Sequence, residues 1–272
     1  MGSISVIAEA LHSLLDLVAA IIAFVAVRFS AKPADWEHPF GHGKAEPISA
    51  GIEALLIFPA AIIIVYEGVN RLISGATLEF LELGIGVMLF STLVNAFVSR
   101  QLFRTSKRFD SLALEADAWH LSIDVLTSVG VLFGLVVVRL TGLNILDPIM
   151  AIAVALLITK AAYDLVRKSI RGLLDVRLPS HEEKIIRETI LEHGRDMVGF
   201  HKLRTRKSGN TRFVELHLVL TKDTHLEQAH QLCNHLEADI ASKLPNSQVT
   251  IHCEPPGEHE AETASEEPEK GK

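Results

Sequence analysis

The sequence predicts a membrane all-α bundle of five transmembrane helices followed by a small cytoplasmic α+β domain. The chain has 272 residues, of which 49% are hydrophobic and 22% are charged, and its mean hydropathy is +0.30. Such a mixture indicates one part in lipid and one part in water. The apolar residues form long runs up to about residue 175, and after it they recur at helix and strand spacings.

Five apolar runs are each long enough to cross a bilayer, which takes about 20 residues. They cover residues 4–29, 48–73, 81–103, 112–140 and 145–166. The connections after the first and third runs, and the exit from the fifth, carry most of the Lys and Arg in this region. By the positive-inside rule, these connections and the C-terminal part are cytoplasmic. Residue 1 then lies on the opposite side, and we expect a further segment to precede it.

The part after residue 175 is predicted to fold in the order α-β-β-α-β. Its elements are a helix over 180–193, strands over 198–206 and 211–221, a helix over 226–244 and a strand over 248–253. Ser180 and Glu183 have the spacing of a capping box, and Gly209-Asn210 is typical of a hairpin turn. This order predicts two helices on one face of a three-stranded sheet.

Composition and charge set the remaining boundaries. We expect a transmembrane domain over 1–175, a cytoplasmic metal-binding domain over 176–254 and a disordered acidic tail over 255–272, where Glu, Pro, Gly and Ser dominate. The net charge of −7 is concentrated in that tail.

No basic patch with interleaved aromatic residues occurs, which argues against a nucleic-acid partner. Cys233 and Cys253 form no spacing motif and are predicted to be reduced thiols.

Two His-x-x-x-Asp motifs in separate apolar runs predict a metal site within the membrane. They are His12 with Asp16 and His120 with Asp124. Residues four apart lie on the same face of a helix, so each run presents one imidazole beside one carboxylate. Two nitrogen and two oxygen ligands suit tetrahedral Zn²⁺. Because protonated imidazole cannot bind metal, such a site couples metal release to proton uptake.

Two more groups of residues have ligand chemistry. Asp35, His38 and His42 lie at spacings of three and four in the first cytoplasmic connection and could surround one cation; a solvated loop is the alternative. The cytoplasmic domain carries a larger set spread over both hairpin strands, the second helix and the last strand, with surface histidines as the alternative. That set is His201, His217, His230, His252 and Glu254.

These motifs resemble those of the cation diffusion facilitator family, and within it the YiiP-like bacterial zinc/iron efflux transporters. The resemblance covers about residues 4–254. It rests on the paired His-x-x-x-Asp motifs, on Gly41-His-Gly-Lys-Ala-Glu46 with the preceding Asp35, on Leu203-Arg-Thr-Arg-Lys-Ser-Gly209 and on Thr250-Ile-His-Cys-Glu254. The family's norm is six spans, and the first run here aligns with the second of them.

The resemblance implies a homodimer in the bacterial inner membrane, with a ferredoxin-like, metallochaperone-like cytoplasmic domain. It implies metal/proton antiport by alternating access, with His12, Asp16, His120 and Asp124 as the transport site. It also implies a loop site at Asp35, His38 and His42, and a binuclear regulatory site in the cytoplasmic set. Lys44 and Asp175 match the positions of a charge interlock between the membrane and cytoplasmic parts.

Besides the missing first span, two departures from the family pattern concern ligands. YiiP-like members have Asp where this chain has His12, and the nitrogen-richer set resembles zinc-preferring members and disfavours Mn²⁺ and Mg²⁺. The last ligand of the cytoplasmic site is usually Asp, where this chain has Glu254.

We therefore expect a proton-coupled efflux transporter for divalent cations, chiefly Zn²⁺, with Cd²⁺, Fe²⁺ or Co²⁺ as further substrates. A metal-binding membrane scaffold or sensor that does not transport is the alternative. A membrane metalloenzyme is disfavoured because the sequence shows no nucleophile–base pair and no histidine box. The expected partners are a second copy of the chain, the lipid bilayer and protons.

Overall fold

The computed structural model describes residues 2–74, 82–141, 145–194 and 196–257. Within its helices, the side chains of residues 2–13, 15, 71, 74, 82–88, 131, 135, 138, 139 and 147 lie outside that description. The chain divides into two compact units, Met1–Leu173 and Leu174–Lys272.

Among its described residues, the first unit contains five long helices. They are α1 (Gly2–Ser30), α2 (Ala45–Ser74), α3 (Glu82–Phe109), α4 (Leu112–Thr141) and α5 (Leu146–Leu173). Each helix covers one of the five predicted apolar runs, so the predicted helical bundle is confirmed. By length and composition, segments of two helices in the described part of the chain could each cross a membrane, Ala45–Asn70 and Pro148–Leu173.

Small residues pack between these helices and large apolar residues face outward. Ala50, Ala54 and Ala116 are fully buried where α2, α4 and α5 meet. Small side chains let helix backbones approach closely, which is the usual basis of helix association in lipid. Phe97 of α3 is 73% exposed and Ile62 of α2 is 65% exposed. An outer surface of this kind suits contact with lipid tails and not with water.

The second unit is the predicted α+β domain. Its elements are α6 (Ser180–Glu192), β1 (Gly199–Ser208), β2 (Thr211–Val219), α7 (Leu226–Lys243) and β3 (Ser247–Glu254). The sheet has the order β1-β2-β3, with β1 antiparallel and β3 parallel to β2. The predicted order and strand number are confirmed, and the parallel pairing makes the sheet mixed.

One hydrophobic core lies between the sheet and its two helices. Ile186 of α6, Leu236 of α7 and Leu216 of β2 are almost fully buried in it. Because side chains alternate along a strand, the residues between the core positions project from the face without helices. That face carries the candidate ligands His201, His217, His252 and Glu254.

The capping box predicted for Ser180 and Glu183 is wrong. Ser180 is the first residue of α6, and the N-cap, Pro179, has no side chain that can cap the helix. Glu183 instead accepts hydrogen bonds from Arg177 and from Thr205 of β1. The carboxylate therefore joins α6 to the sheet rather than closing the end of its own helix.

Candidate metal centres

The first candidate metal centre joins α1 to α4 and is called the membrane cluster. His120 Nε2 lies 3.0 Å from Asp16 Oδ1, although the two residues are 104 positions apart. Asp124 follows one turn after His120, and the ligand atoms of Asp16, His120 and Asp124 all lie within 4.8 Å of one another. His12 lies one turn before Asp16 on α1, and its side chain lies outside the described residues. The structure thus brings three of the four predicted ligands together.

The second candidate centre, called the loop cluster, lies between α1 and α2. Asp35 contacts both histidines with different oxygens, Oδ1 at 3.3 Å from His38 Nδ1 and Oδ2 at 3.2 Å from His42 Nε2. The two imidazole rings lie with their centroids 4.4 Å apart. Gly41 makes the intervening turn with a φ of +80°, which side chains other than glycine rarely adopt. All three predicted loop ligands are therefore in contact.

The electrostatics of the loop cluster suit a cation. The backbone N–H of His38 donates to Asp35 Oδ1 at 2.7 Å. This hydrogen bond is the main reason why the pKa of Asp35 lies below its usual value, and the two imidazoles add to the effect. The His42 side chain is only 2% exposed, and its Nδ1 is buried without a hydrogen-bond partner. An ionised carboxylate beside a buried, unpartnered imidazole nitrogen is a donor set that fits a divalent metal.

The third candidate centre, called the cytoplasmic cluster, lies on the helix-free face of the sheet. His201 of β1 is opposite His217 of β2, and His217 is opposite His252 of β3. Directly opposed residues on neighbouring strands project from the same face. The ring centroids are 5.2 Å apart for the first pair and 4.7 Å apart for the second. The strand register therefore lines up three imidazoles.

Glu254 bridges two of these imidazoles. Its Oε1 lies 2.5 Å from His201 Nε2 and its Oε2 lies 3.0 Å from His217 Nδ1. The His201 side chain is 9% exposed, and its Nε2 is buried without a partner in hydrogen-bond geometry. The hydrogen bond from His217, together with the charges of both histidines, holds the pKa of Glu254 below its usual value. This arrangement also fits a metal with nitrogen and oxygen ligands.

The other two predicted ligands of this centre, His252 and His230, lie farther from Glu254 than His201 and His217 do. His252 is 64% exposed, and its Nε2 lies 4.0 Å from Glu254 Oε2. His230 is exposed on α7, where its Nε2 lies 3.3 Å from Nδ2 of Asn234. Because α7 packs on the opposite face of the sheet from His217, His230 is outside the group of three ligands that the described residues form here. Its role as a ligand stays a prediction.

The two residues predicted to form a charge interlock lie in different units. Lys44 donates to the carbonyl of Leu173 at 3.4 Å, a favourable place for a cation because it is the C-terminal end of α5. Asp175 has a φ of +53°, and its carboxylate lies 3.5 Å from Arg206. The interlock itself stays a prediction.

Two buried carboxylates of α2 had no assigned role from the sequence. Glu46 accepts hydrogen bonds from Ser30, the last residue of α1, and from Ser111, the residue before α4. Glu53 is fully buried and accepts a hydrogen bond from Ser49 at 3.3 Å, while its Oε2 is buried without a partner. Its position as a lone acidic residue in the first half of an apolar run is the signal that could have identified it.

Comparison with known proteins places both units in context. The family model for the cation efflux transmembrane domain matches residues 1–174. The model for the cytoplasmic domain of cation efflux proteins matches residues 178–256.

Several curated relatives match almost the whole chain. An uncharacterized transporter of Synechocystis sp. is 39% identical over 254 residues, which is 93% of this chain and 82% of the relative. The cation-efflux pump FieF of Pectobacterium carotovorum is 33% identical over 254 residues, with 93% of this chain and 84% of the pump covered. FieF of Yersinia pestis is 35% identical over 257 residues, with the same two shares.

Solved structures match only part of the chain. The zinc form of the putative zinc transporter CzrB is 42% identical, with a TM-score of 0.30, and covers 31% of this chain and 96% of that chain. The metal-bound C-terminal domain of the CzcD transporter from Thermotoga maritima is 22% identical, with a TM-score of 0.26, and covers 29% of this chain and 94% of that chain.

Proposed function

Since the chain belongs to the cation efflux family, we propose that it exports Zn²⁺ from the cytoplasm in exchange for protons. We place it in the bacterial inner membrane as a multi-pass homodimer with residues 176–254 in the cytoplasm. The membrane domain then covers residues 1–175, and residues 255–272 form an acidic tail. In this proposal the chain moves an ion across the membrane and catalyses no chemical conversion.

The observation that carries the proposal is the membrane cluster. One imidazole and two carboxylates from two helices lie within 4.8 Å of one another, in a unit whose outer surface is apolar. Ionisable side chains are costly at membrane depth and mark ion pathways when they occur there. Nitrogen and oxygen ligands together favour Zn²⁺ over Mg²⁺ and Mn²⁺, and also accommodate Cd²⁺, Fe²⁺ and Co²⁺. His12, one turn before Asp16, supplies the fourth ligand in this proposal.

Proton coupling follows from the contact between His120 and Asp16. At 3.0 Å, the imidazole Nε2 and the carboxylate oxygen share a proton in a hydrogen bond. The same nitrogen must lose that proton before it can coordinate Zn²⁺. When both ring nitrogens of His120 carry a proton, loading the metal therefore releases one proton, and rebinding that proton displaces the metal. This competition for one atom is the basis of exchange.

The loop and cytoplasmic clusters would hold resident metals. Asp35, His38 and His42 would bind one ion in the first, and Glu254 would bridge His201 and His217 in the second. A bound divalent cation would supply positive charge that holds these ligands together. The residues of the loop cluster hold the connection between α1 and α2 in place. Those of the cytoplasmic cluster hold together the adjacent ends of the three strands.

Zinc uptake into inverted membrane vesicles tests the proposal. We expect radioactive zinc to accumulate only when a pH gradient is imposed, and Asp124→Asn to abolish the accumulation. Asp223→Asn is the matched control, since it makes the same change in an exposed turn of the cytoplasmic unit, and it should transport as the unmodified protein does.

The alternative of a metal-binding scaffold makes a different prediction. A scaffold would bind zinc and dimerise but show no flux with or without a gradient. Equal transport by the Asp124→Asn variant and the unmodified protein would show instead that the membrane cluster is not the transport site.

A further inference from the structure

Two thiols from opposite sides of the cytoplasmic core lie in contact. Cys233 of α7 and Cys253 of β3 have their Sγ atoms 3.0 Å apart and lie 20 positions apart in the chain. Both are free cysteines, Cys233 buried and Cys253 partly buried. A disulfide bond is about 2.05 Å long, so the two sulfur atoms need to approach by only about 1 Å to bond.

The surroundings hold the two thiols in this position. Cys253 pairs with Leu218 of β2 and projects from the face of the sheet that α7 covers. Cys233 belongs to the same buried core, between Ala229 and Leu236 of α7. Both thiols are thus held by packed elements and not by a mobile loop, which keeps the effective concentration of one for the other high.

We propose that Cys233 and Cys253 form a redox modification site, which hydrogen peroxide converts to an intramolecular disulfide between α7 and β3. In the first step the Cys253 sulfur attacks one peroxide oxygen, giving a sulfenic acid and one molecule of water. In the second step the Cys233 sulfur attacks the Cys253 sulfur and releases a second water. Each sulfur loses one electron, and the two peroxide oxygens are reduced to water.

The order of these steps follows from burial. Burial and the neighbouring thiol raise the pKa of Cys233 to about 12, so this thiol stays protonated at neutral pH and does not start the reaction. Cys253 is the more exposed of the two and meets the oxidant first. Cys233 therefore acts as the resolving thiol in the second step.

The position of the site gives the disulfide a consequence. His252 and Glu254 flank Cys253 on β3 and project from the opposite face, where Glu254 contacts His201 and His217. Fixing Cys253 to α7 fixes the backbone that carries both flanking ligands. The modification thus acts on the strand of the cytoplasmic cluster without occupying any of its ligand atoms.

Thiol counting on the purified full-length protein tests this site. The reduced, metal-free protein in detergent is treated with hydrogen peroxide, quenched with catalase, denatured and labelled with a polyethylene-glycol maleimide. Before oxidation we expect two labels per chain on a non-reducing gel. After oxidation we expect none, at the mobility of a single chain, and dithiothreitol should restore both.

The Cys253→Ser variant is the matched control, because it leaves Cys233 in its buried position without a partner thiol. It should keep its single label after the same treatment. The proposal is overturned if the unmodified protein keeps either label, if a covalent dimer forms instead, or if dithiothreitol does not restore the lost thiols.

Discussion

Replacing Glu254 should weaken zinc binding at the cytoplasmic cluster more than any other single change on β3. Its two oxygens contact two different imidazole nitrogens, at 2.5 Å for His201 and 3.0 Å for His217. Glu254→Gln keeps the shape of the side chain but removes its charge and one acceptor oxygen. We expect zinc affinity to fall by about 100-fold or more, because loss of an outer partner of a ligand already costs about 10–100-fold.

The geometry also ranks the neighbouring histidines. His252 is largely exposed and lies 4.0 Å from Glu254, so His252→Ala should weaken binding by about 10-fold, the lower end of the range for an outer partner. His230 contacts Asn234 on the other side of the sheet. His230→Ala should therefore lower zinc affinity less than Glu254→Gln does.

The assay is competition with a zinc chromophore on the full-length protein in detergent. Asp35→Asn and Asp124→Asn are introduced throughout to disable the loop and membrane clusters, so that the remaining zinc reports on the cytoplasmic cluster. If His230→Ala weakens zinc binding as much as Glu254→Gln does, the ranking of ligands by their effect on zinc affinity, which we took from the strand register, is wrong.

Three further predictions concern packing and charge. Gly51→Ala would put a Cβ atom 2.6 Å from Ser169 Oγ, so it should lower the unfolding temperature by the equivalent of about 1–3 kcal/mol, and adding Ser169→Ala should recover part of that loss. Arg212→Ala leaves the Glu182 carboxylate, 11% exposed, without its bidentate partner; the free energy of unfolding in urea should fall by about 3–5 kcal/mol, and by less when Glu182→Gln is added. The pKa of Glu254 is lowered by the hydrogen bond from a neighbouring imidazole, so this carboxylate should titrate below 4.5 in carbon NMR of the metal-free protein, and the stability it contributes should be present above pH 4.5 and lost as the pH falls through the lowered pKa.

The helices of the membrane unit could be predicted because each one is an apolar run of sufficient length. The predicted ends were less accurate where charged residues follow the apolar run. The third run was predicted to end at residue 103, whereas α3 continues to Phe109 through Arg104, Lys107 and Arg108. A helix does not stop where its lipid-facing part stops, because backbone hydrogen bonding continues into water. Hydropathy marks the membrane and not the end of the helix.

The order of elements in the cytoplasmic unit could also be predicted, but its register could not. A bulge between His201 and Arg204, with Lys202 at a φ of +51°, shifts the pairing of β1. Only that shift explains why His201 lies opposite His217. The parallel pairing of β3 with β2 then adds His252 to the same line. Pairing between distant strands depends on tertiary packing, which alternation along one strand does not reveal.

The contacts within a candidate site were easier to predict when its ligands lie close together in the sequence. Asp35, His38 and His42 lie within eight consecutive residues, and all three are in contact. The contact of Asp16 with His120 depended on two helices meeting, which the matched spacing of the motifs suggested but did not determine. The position of His230 relative to the other predicted ligands could not be predicted, because sequence alone does not show which face of the sheet α7 covers.

The most direct test of metal/proton competition at His120 is the pH inside proteoliposomes while zinc crosses their membrane. A trapped pH-sensitive dye and a zinc-sensitive dye are read together after zinc is added outside. The proposed exchange predicts that zinc entry and proton exit begin together, and that Asp124→Asn abolishes both signals. Zinc entry without any change in internal pH, with the membrane potential clamped, would contradict it.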